Sequence, residues 1–280
     1  MKTLTAKTIT HSLILAIVLA SCGAPKSGNS SANGGRAISP LSTQNVDATL
    51  WFATSAENYY LFKQTYHYAT EALKLRMQSF KGPLSPCIII DLDETVLDNS
   101  PYQLELIRKG ETFTEKSWED WVMRAEAKLT PGAAEFLAFC ETNGIQVFYI
   151  SNRDAKQLEA TLNNMMKYNL PFVSPNYVLL KQDDSNKTER RNAVILNATP
   201  LLYLGDNLLD YTERFVLRTD KHGKPTVDMF LQEMLQNFVL FPNPMYGQWM
   251  KAFDDPTQPA ANDAAKAARK VMVAKPTDDF

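Results

Sequence analysis

Cysteine and histidine each occur only three times in 280 residues. Three cysteines cannot make a disulfide framework or a four-thiolate zinc site, and so few histidines argue against a histidine-rich metal centre. Positive charge is not in excess either: 29 Lys and Arg stand against 31 Asp and Glu, a formal charge of −2. A protein that grips nucleic acid through a field of basic residues is thereby excluded. The apolar run Leu13 to Ala20 is far short of the ~20 residues a spanning helix needs. What the chain does hold is 45% hydrophobic and 10% aromatic residues, enough for a core and too much for a disordered chain. Its chemistry should rest on oxygen ligands.

The amino terminus carries Lys2 and Lys7, then the apolar run, then Ser21 and Cys22. That order predicts a signal peptide. Leu19-Ala20-Ser21-Cys22 resembles the bacterial lipobox, so residues 1–21 are expected to be removed and Cys22 lipidated. Cleavage there leaves 27 basic against 31 acidic residues, a charge of −4. Residues 22–45, rich in Gly, Ser and Asn at their start, are expected to be a flexible tether. The expected location is the bacterial cell envelope, facing the periplasm. Gly23 follows the anchor cysteine instead of the aspartate that signals inner-membrane retention in enteric bacteria, which points to the outer membrane.

Beyond the tether, Val46 to Phe80 predicts one or two packed helices, closed by Gly82 and Pro83. Cys87-Ile88-Ile89-Ile90 is short and wholly apolar, as expected of a strand buried on both faces. Similar runs recur at 147–150, 177–180, 201–204 and 238–241, with helix-like stretches at 132–142, 155–168 and 187–196. Strands alternating with helices imply an α/β fold with a mainly parallel sheet. Residues 254–280, rich in Ala, Lys, Asp and Pro, are expected to form a poorly packed tail.

Asp91-Leu92-Asp93-Glu94-Thr95 follows the first strand. Residues two apart in an extended chain point the same way, so two carboxylates should crowd together at the strand's end. A divalent ion with a carboxylate nucleophile is one reason for such crowding; a solvated acidic loop is the other reading. Ile150-Ser151-Asn152-Arg153 closes a second strand, Gly205-Asp206-Asn207-Leu208-Leu209-Asp210 follows a later one, and Lys187 starts the helix between them.

These four elements, in this order, resemble the haloacid dehalogenase superfamily. Ile90 to Ser100 is similar to the first signature of class C acid phosphatases, and the element beginning at Gly205 to their second; the class includes lipoprotein e type 5′-nucleotidases. The likeness covers roughly residues 46–251. It implies a Rossmannoid parallel sheet flanked by helices, with an N-terminal helical segment and a small helical cap inserted near 98–130, the whole catalytic domain lying within 46–253. It also implies a hydrolase: a metal-dependent acid phosphatase that cleaves 5′-nucleotides and other aromatic phosphate monoesters through an aspartyl-phosphate.

In that scheme Asp91 is the nucleophile, and Asp93 protonates the leaving group and then deprotonates water. Mg²⁺ would be held by the Asp91 carboxylate, the Asp93 backbone carbonyl and the Asp206 carboxylate, with Asp210 orienting a bound water. Ser151, Asn152 and Lys187 would bind the phosphoryl group, Lys181 being a weaker rival for the lysine. Trp118 and Tyr246 would sandwich the substrate ring, favouring nucleoside or nicotinamide monophosphates. Tyr211 stands where relatives usually carry phenylalanine.

Two other readings stay open: a surface lipoprotein that binds a nucleotide or haem without turnover, and a phosphotransferase using the same intermediate. Cys87 and Cys140 read as free buried thiols, with a disulfide as the alternative. The expected partners are small phosphate monoesters and, through Cys22, the membrane. A homodimer is the one oligomer entertained.

Overall fold

In a computed structural model the described residues are 38–218, 221–254 and 259–273. The chain starts with three helices, α1 (Pro40–Gln44), α2 (Val46–Thr54) and α3 (Ala56–Ser79). Strand β1 (Pro86–Ile90) follows, then β2 (Leu97–Asp98), helices α4 (Ser100–Lys109) and α5 (Glu115–Arg124), and β3 (Lys128–Leu129). After these come α6 (Ala133–Thr142), β4 (Gln146–Asp154), α7 (Leu158–Met166), β5 (Val178–Lys181), α8 (Thr188–Ile195) and β6 (Thr199–Gly205). Helix α9 (Lys224–Asn237), β7 (Phe238–Leu240) and α10 (Asp263–Val273) complete the order.

Five strands form one sheet in the order β5-β4-β1-β6-β7, and every neighbouring pair is parallel. The α/β expectation is met. Burial on both faces explains why β1 is apolar at every position and β4 from Val147 to Ile150. Ile88 and Ile90 of β1, with Val147 and Tyr149 of β4, pack into the larger core beside Phe62 and Tyr66 of α3. Cys87, Ile89, Phe148 and Ile150 point the other way, onto Val194 of α8 and Ala198. Cys87 and Cys140 are free thiols, both buried, and burial pushes each up to about 12.

Helix α3 docks through Phe62, Tyr66, Ala69 and Leu73, a stripe at helical spacing. Its start is capped by Ser55, whose hydroxyl accepts from the Asn58 N–H at 3.0 Å. The cap is a true insertion: β2 pairs antiparallel with β3, Leu97 opposite Leu129, and α4 and α5 lie between them. Gly110, at φ 65°, ends α4, and Thr114 with Ser117 forms a capping box that starts α5.

Two boundaries differ from expectation. The tether expected over 22–45 does not reach residue 45, because α1 occupies Pro40–Gln44 and Ser42 is buried. The tail expected over 254–280 contains α10, an Ala- and Lys-rich segment with high helix propensity. It docks with little apolar surface: Ala267 is buried, Ser39 Oγ donates to Asp263 Oδ2 at 2.6 Å, and Gln44 Nε2 donates to the Ala267 carbonyl at 2.9 Å. Helix α9 has no counterpart in the sequence reading, since Met234 is its one buried residue and the apolar period is faint. The signal peptide, the lipobox and Cys22 lie outside the described residues. Among the described residues no helix is long and apolar enough to cross a membrane.

Candidate active site

The carboxyl ends of β1, β4 and β6 open into a cleft of about 1640 Å³, where parallel sheets place their sites. Asp91 leaves β1 with its N–H bonded to the Leu204 carbonyl of β6 at 2.9 Å. Asp206 and Asp210 follow β6. A carboxylate oxygen from each of Asp91, Asp206 and Asp210 lies within 4.8 Å of the other two.

Lys187 stands at the start of α8 and reaches into this cluster. Its ammonium donates to Asp91 Oδ1, to Asp210 Oδ1 at 2.7 Å and to the Ile150 carbonyl at 2.6 Å. All three ammonium donors are thus placed. Lys181 also lines the cleft, but Lys187 is the lysine on Asp91. Asp210 is held from its other side, Oδ2 accepting from the Asn207 N–H at 2.9 Å. Asp206 Oδ2 accepts from Asn243 Nδ2 at 2.7 Å. The Asn243 carbonyl oxygen faces the Met245 N–H at 3.0 Å, which turns the amide's NH₂ towards Asp206.

Gly205 allows Asp210 to come in. A Cβ at Gly205 would sit 2.1 Å from Asp210 Oδ2 and 2.5 Å from its Cβ and Cγ, so any side chain there collides with the aspartate. The glycine is a steric requirement of the second motif.

One ammonium does not balance three acids. Burial raises Asp91 to about 7, with Asp210 and Asp93 adding to the rise against the pull of Lys187. Asp206 is driven well above the carboxylate range by burial, then by Asp210 and Asp91. Burial alone would lower Lys187, but Asp210 and Asp91 outweigh it and hold the ammonium above its ordinary value. A hard divalent cation fits this donor set, which is all oxygen and short of positive charge. Asp91 and Asp206 have a carboxylate to offer it; both Asp210 oxygens already accept from protein donors.

Asp93 sits in a different setting. Arg153, 1% exposed, forks onto it, its Nε donating to Oδ1 at 3.0 Å and a terminal nitrogen donating to the same oxygen at 2.8 Å. Asn99 Nδ2 donates to Oδ1 at 2.9 Å and Ser151 Oγ to Oδ2 at 3.2 Å. The Ser151 hydroxyl, expected to face a phosphoryl group, is therefore spent on Asp93, and it also accepts the Arg153 N–H at 3.0 Å. Asn152 is exposed on the cleft wall, its side-chain oxygen accepting from Arg190 at 2.7 Å. Arg190 also donates to the Ser151 carbonyl at 2.6 Å.

The next residue, Glu94, is fully buried at φ 57°, a left-handed conformation costly to a residue with a Cβ. Its carboxyl receives the Asn99 N–H at 2.8 Å. Burial, then Asp93 and Asp206, push it well above the usual carboxylate range.

Trp118 and Tyr246 are both half-buried on the cleft wall. Tyr211 is turned to the core instead: it stacks on Phe238 at 5.6 Å and its hydroxyl donates to Glu233 at 2.8 Å.

Arg153, Asn99, Arg190, Asn243 and Gly205 were not assigned roles from sequence. Arg153 and Asn99 stand inside the motifs, and Arg153, as a cation, is within reach of a charge-balance argument. Asn243 comes from a loop with no pattern of its own, so only the fold shows it.

A parallel sheet with paired aspartates after β1, a lysine at the start of α8 and an acidic turn after β6 makes a site suited to phosphoryl transfer. Comparison with known proteins agrees. Residues 10–249 match the model of the HAD superfamily, subfamily IIIB (acid phosphatase), and the chain belongs to that family. The structure of the class C acid phosphatase from Bacillus anthracis is similar at a TM-score of 0.79 and 33% identity, covering 85% of this chain and 100% of that one. The same enzyme with tungstate bound matches at 0.78 and 33%, with the same coverage. Acid phosphatase 1 of Solanum lycopersicum is 27% identical over 114 residues, 38% of this chain. That match spans 44% of the tomato protein's length.

Proposed function

We propose that this chain is a metal-dependent phosphomonoesterase acting on 5′-nucleotides and other aromatic phosphate monoesters, held on the cell envelope by a lipid at Cys22. The observation that carries the chemistry is the Lys187 ammonium on both Asp91 and Asp210, with Asp206 in the same cluster. A binding module has no need of a nucleophile held beside a buried cation and an acid–base residue two positions on.

Asp91 attacks phosphorus in line. The ester P–O bond breaks as the leaving oxygen takes the proton of Asp93, giving an alcohol and an aspartyl-phosphate. Asp93, now a carboxylate, takes a proton from water as the water oxygen attacks phosphorus. The bond to Asp91 breaks, inorganic phosphate leaves and Asp93 is again protonated. Lys187 holds Asp91 in place and adds positive charge beside the transferred group, where most of the catalytic demand lies. Mg²⁺ is the proposed ion, at Asp91, Asp206 and the Asp93 carbonyl; when bound it supplies charge neutralisation for the phosphoryl oxygens. Asp210 serves to hold Lys187. Ser151 acts through Asp93, and Asn152 is the proposed contact to the phosphoryl group.

Trp118 and Tyr246 on the cleft wall support an aromatic substrate, since a ring stacks on either without regard to base identity. Tungstate, a tetrahedral oxyanion, is bound by the Bacillus anthracis relative, which supports a phosphate-shaped ligand here. Outer-membrane placement rests on Gly23 after Cys22.

The test is phosphate release from AMP and nicotinamide mononucleotide by the full chain in detergent, with Mg²⁺, with EDTA, and with Asp91→Asn. Turnover lost in the last two arms is expected. No release from either nucleotide or from an aryl phosphate, by folded Mg²⁺-loaded protein, would leave ligand capture as the better reading.

A further inference from the structure

Asp93 has the most demanding geometry in the reaction just proposed. It must reach first the leaving oxygen and later a water, so its aim matters as much as its presence. Its two strongest contacts both lead back to one element, the cap helix α5.

The first route runs through Asn99. Trp121 of α5 is buried, and its indole Nε1–H donates to Asn99 Oδ1 at 2.8 Å. Indole nitrogen is a donor only, so it must face the amide's oxygen. That choice fixes the amide the other way round at its far end, and Nδ2 is turned onto Asp93 Oδ1 at 2.9 Å. The backbone N–H of Asn99, bonded to the buried Glu94 carboxyl at 2.8 Å, holds the residue in place.

The second route runs through Arg153. Its guanidinium carbon lies 5.7 Å from the centre of the Trp118 ring, one helical turn before Trp121 on α5. One terminal nitrogen donates to Thr161 Oγ1 at 3.2 Å; the rest of the fork holds Asp93. A planar fork constrains a carboxylate's direction where an ammonium would only attract it.

We propose that Trp121, Asn99 and Arg153 are positioning residues that tie Asp93 to the cap, so that the seating of α5 aims the acid–base carboxylate. The inference rests on the phosphatase reading. It says that the helix presenting Trp118 to the cleft also sets the proton donor, and that a cap shifted off its seat misdirects proton transfer before it weakens the floor of the site.

The experiment compares kcat/KM on AMP and on 2,4-dinitrophenyl phosphate for Trp121→Phe, Arg153→Lys and, as a reference, Asp93→Asn. Nucleoside leaves as an alkoxide that needs a proton; dinitrophenolate leaves without one. kcat/KM reports steps up to formation of the phosphoenzyme, so the later use of Asp93 as a base does not enter. Trp121→Phe keeps a buried aromatic ring but removes the N–H together with the rest of the pyrrole ring, so Asn99 Oδ1 loses its donor. The expected result is a loss on AMP at least about tenfold greater than the loss on dinitrophenyl phosphate, on the scale of general acid catalysis, with Asp93→Asn showing the widest gap. Because both rates come from one preparation, their ratio does not depend on the fraction that is folded. Equal losses on the two substrates, or none, in a parent that hydrolyses both would overturn the inference and leave the phosphatase reading standing. A parent that releases phosphate from neither ends both.

Discussion

Asp91 and Asp93 leave the same strand end two residues apart and enter unlike surroundings. Asp91 lies on the floor of the cleft, among two other acids and one ammonium that bonds it and Asp210 together. Asp93 lies against the cap, gripped by a guanidinium, an amide and a hydroxyl. The floor is a crowd of charge that a cation relieves. The cap side is a fitted set of directional donors. In the proposed reaction, a nucleophile at Asp91 is served by a fixed point charge behind it, whereas an acid–base group at Asp93 is served by control of its direction.

The comparison breaks first, and most completely, at Asp91. Asp91→Asn should lower turnover by on the order of 10⁴ or more, the scale on which removing a nucleophile acts, measured as phosphate release with Mg²⁺. Next is Lys187→Met, which leaves the floor acids without their cation. In EDTA it should destabilise the chain by about 3–5 kcal/mol, the cost of breaking a buried pair from one side, read by urea denaturation. Added Mg²⁺ should return part of the loss by mass action. Equal urea midpoints for parent and variant in EDTA would show that the floor does not depend on the ammonium.

Gly205→Ala tests the floor from beneath. Its methyl group would sit 2.1 Å from Asp210 Oδ2, far inside van der Waals contact, so Asp210 and with it Lys187 must shift. Displacements of ~1 Å cost about 10²-fold, and kcat should fall by that order while the far-ultraviolet spectrum is kept. The aromatic wall is expected to act on choice of substrate. Trp118→Ala and Tyr246→Ala should each raise KM for AMP by roughly tenfold, from stacking worth ~1–3 kcal/mol, and leave a sugar phosphate little changed. Unaltered relative rates on the two would remove the stacking role.

A last test sharpens the floor's electrostatics. Asp91 titrates at about 7 in the folded chain against an ordinary 3.8. Between those values the unfolded chain has given up a proton that the folded chain keeps. Stability of the metal-free protein therefore falls as pH rises through that window and levels above it. Asp91→Asn removes the dependence, so its melting temperature in EDTA should gain on the parent's from pH 4 to pH 7. A constant gap across that range would place the burden on another acid of the cluster.

The strands were legible because full burial leaves an unmistakable apolar run; Cys87 to Ile90 is the clearest case. Acids placed directly after such runs have a solvated loop as their other explanation, so the floor was legible only through the resemblance of the ordered motifs to a known superfamily; Asp91, Asp206 and Asp210 do meet in space. Helix α9 was not, because it buries a single methionine. Helix α10 is not legible, because the burial of Ala267 and the hydrogen bonds of Asp263 with Ser39 and of the Ala267 carbonyl with Gln44 leave no period in composition. The resemblance implies a phosphate contact for Ser151, near the carboxyl end of β4, while its hydroxyl serves Asp93.

Local order along the chain was enough to determine the α/β class and the run of motifs, since each of these follows from residues adjacent in sequence and from the sidedness of a strand. Only the tertiary structure decided which cation meets which carboxylate. Lys187 reaches Asp91 from 96 positions away and Arg153 reaches Asp93 from 60, and the turning of one amide by Trp121 settles where Asp93 is held. Such pairings depend on distances and directions between elements that folding brings together, and no local pattern encodes them.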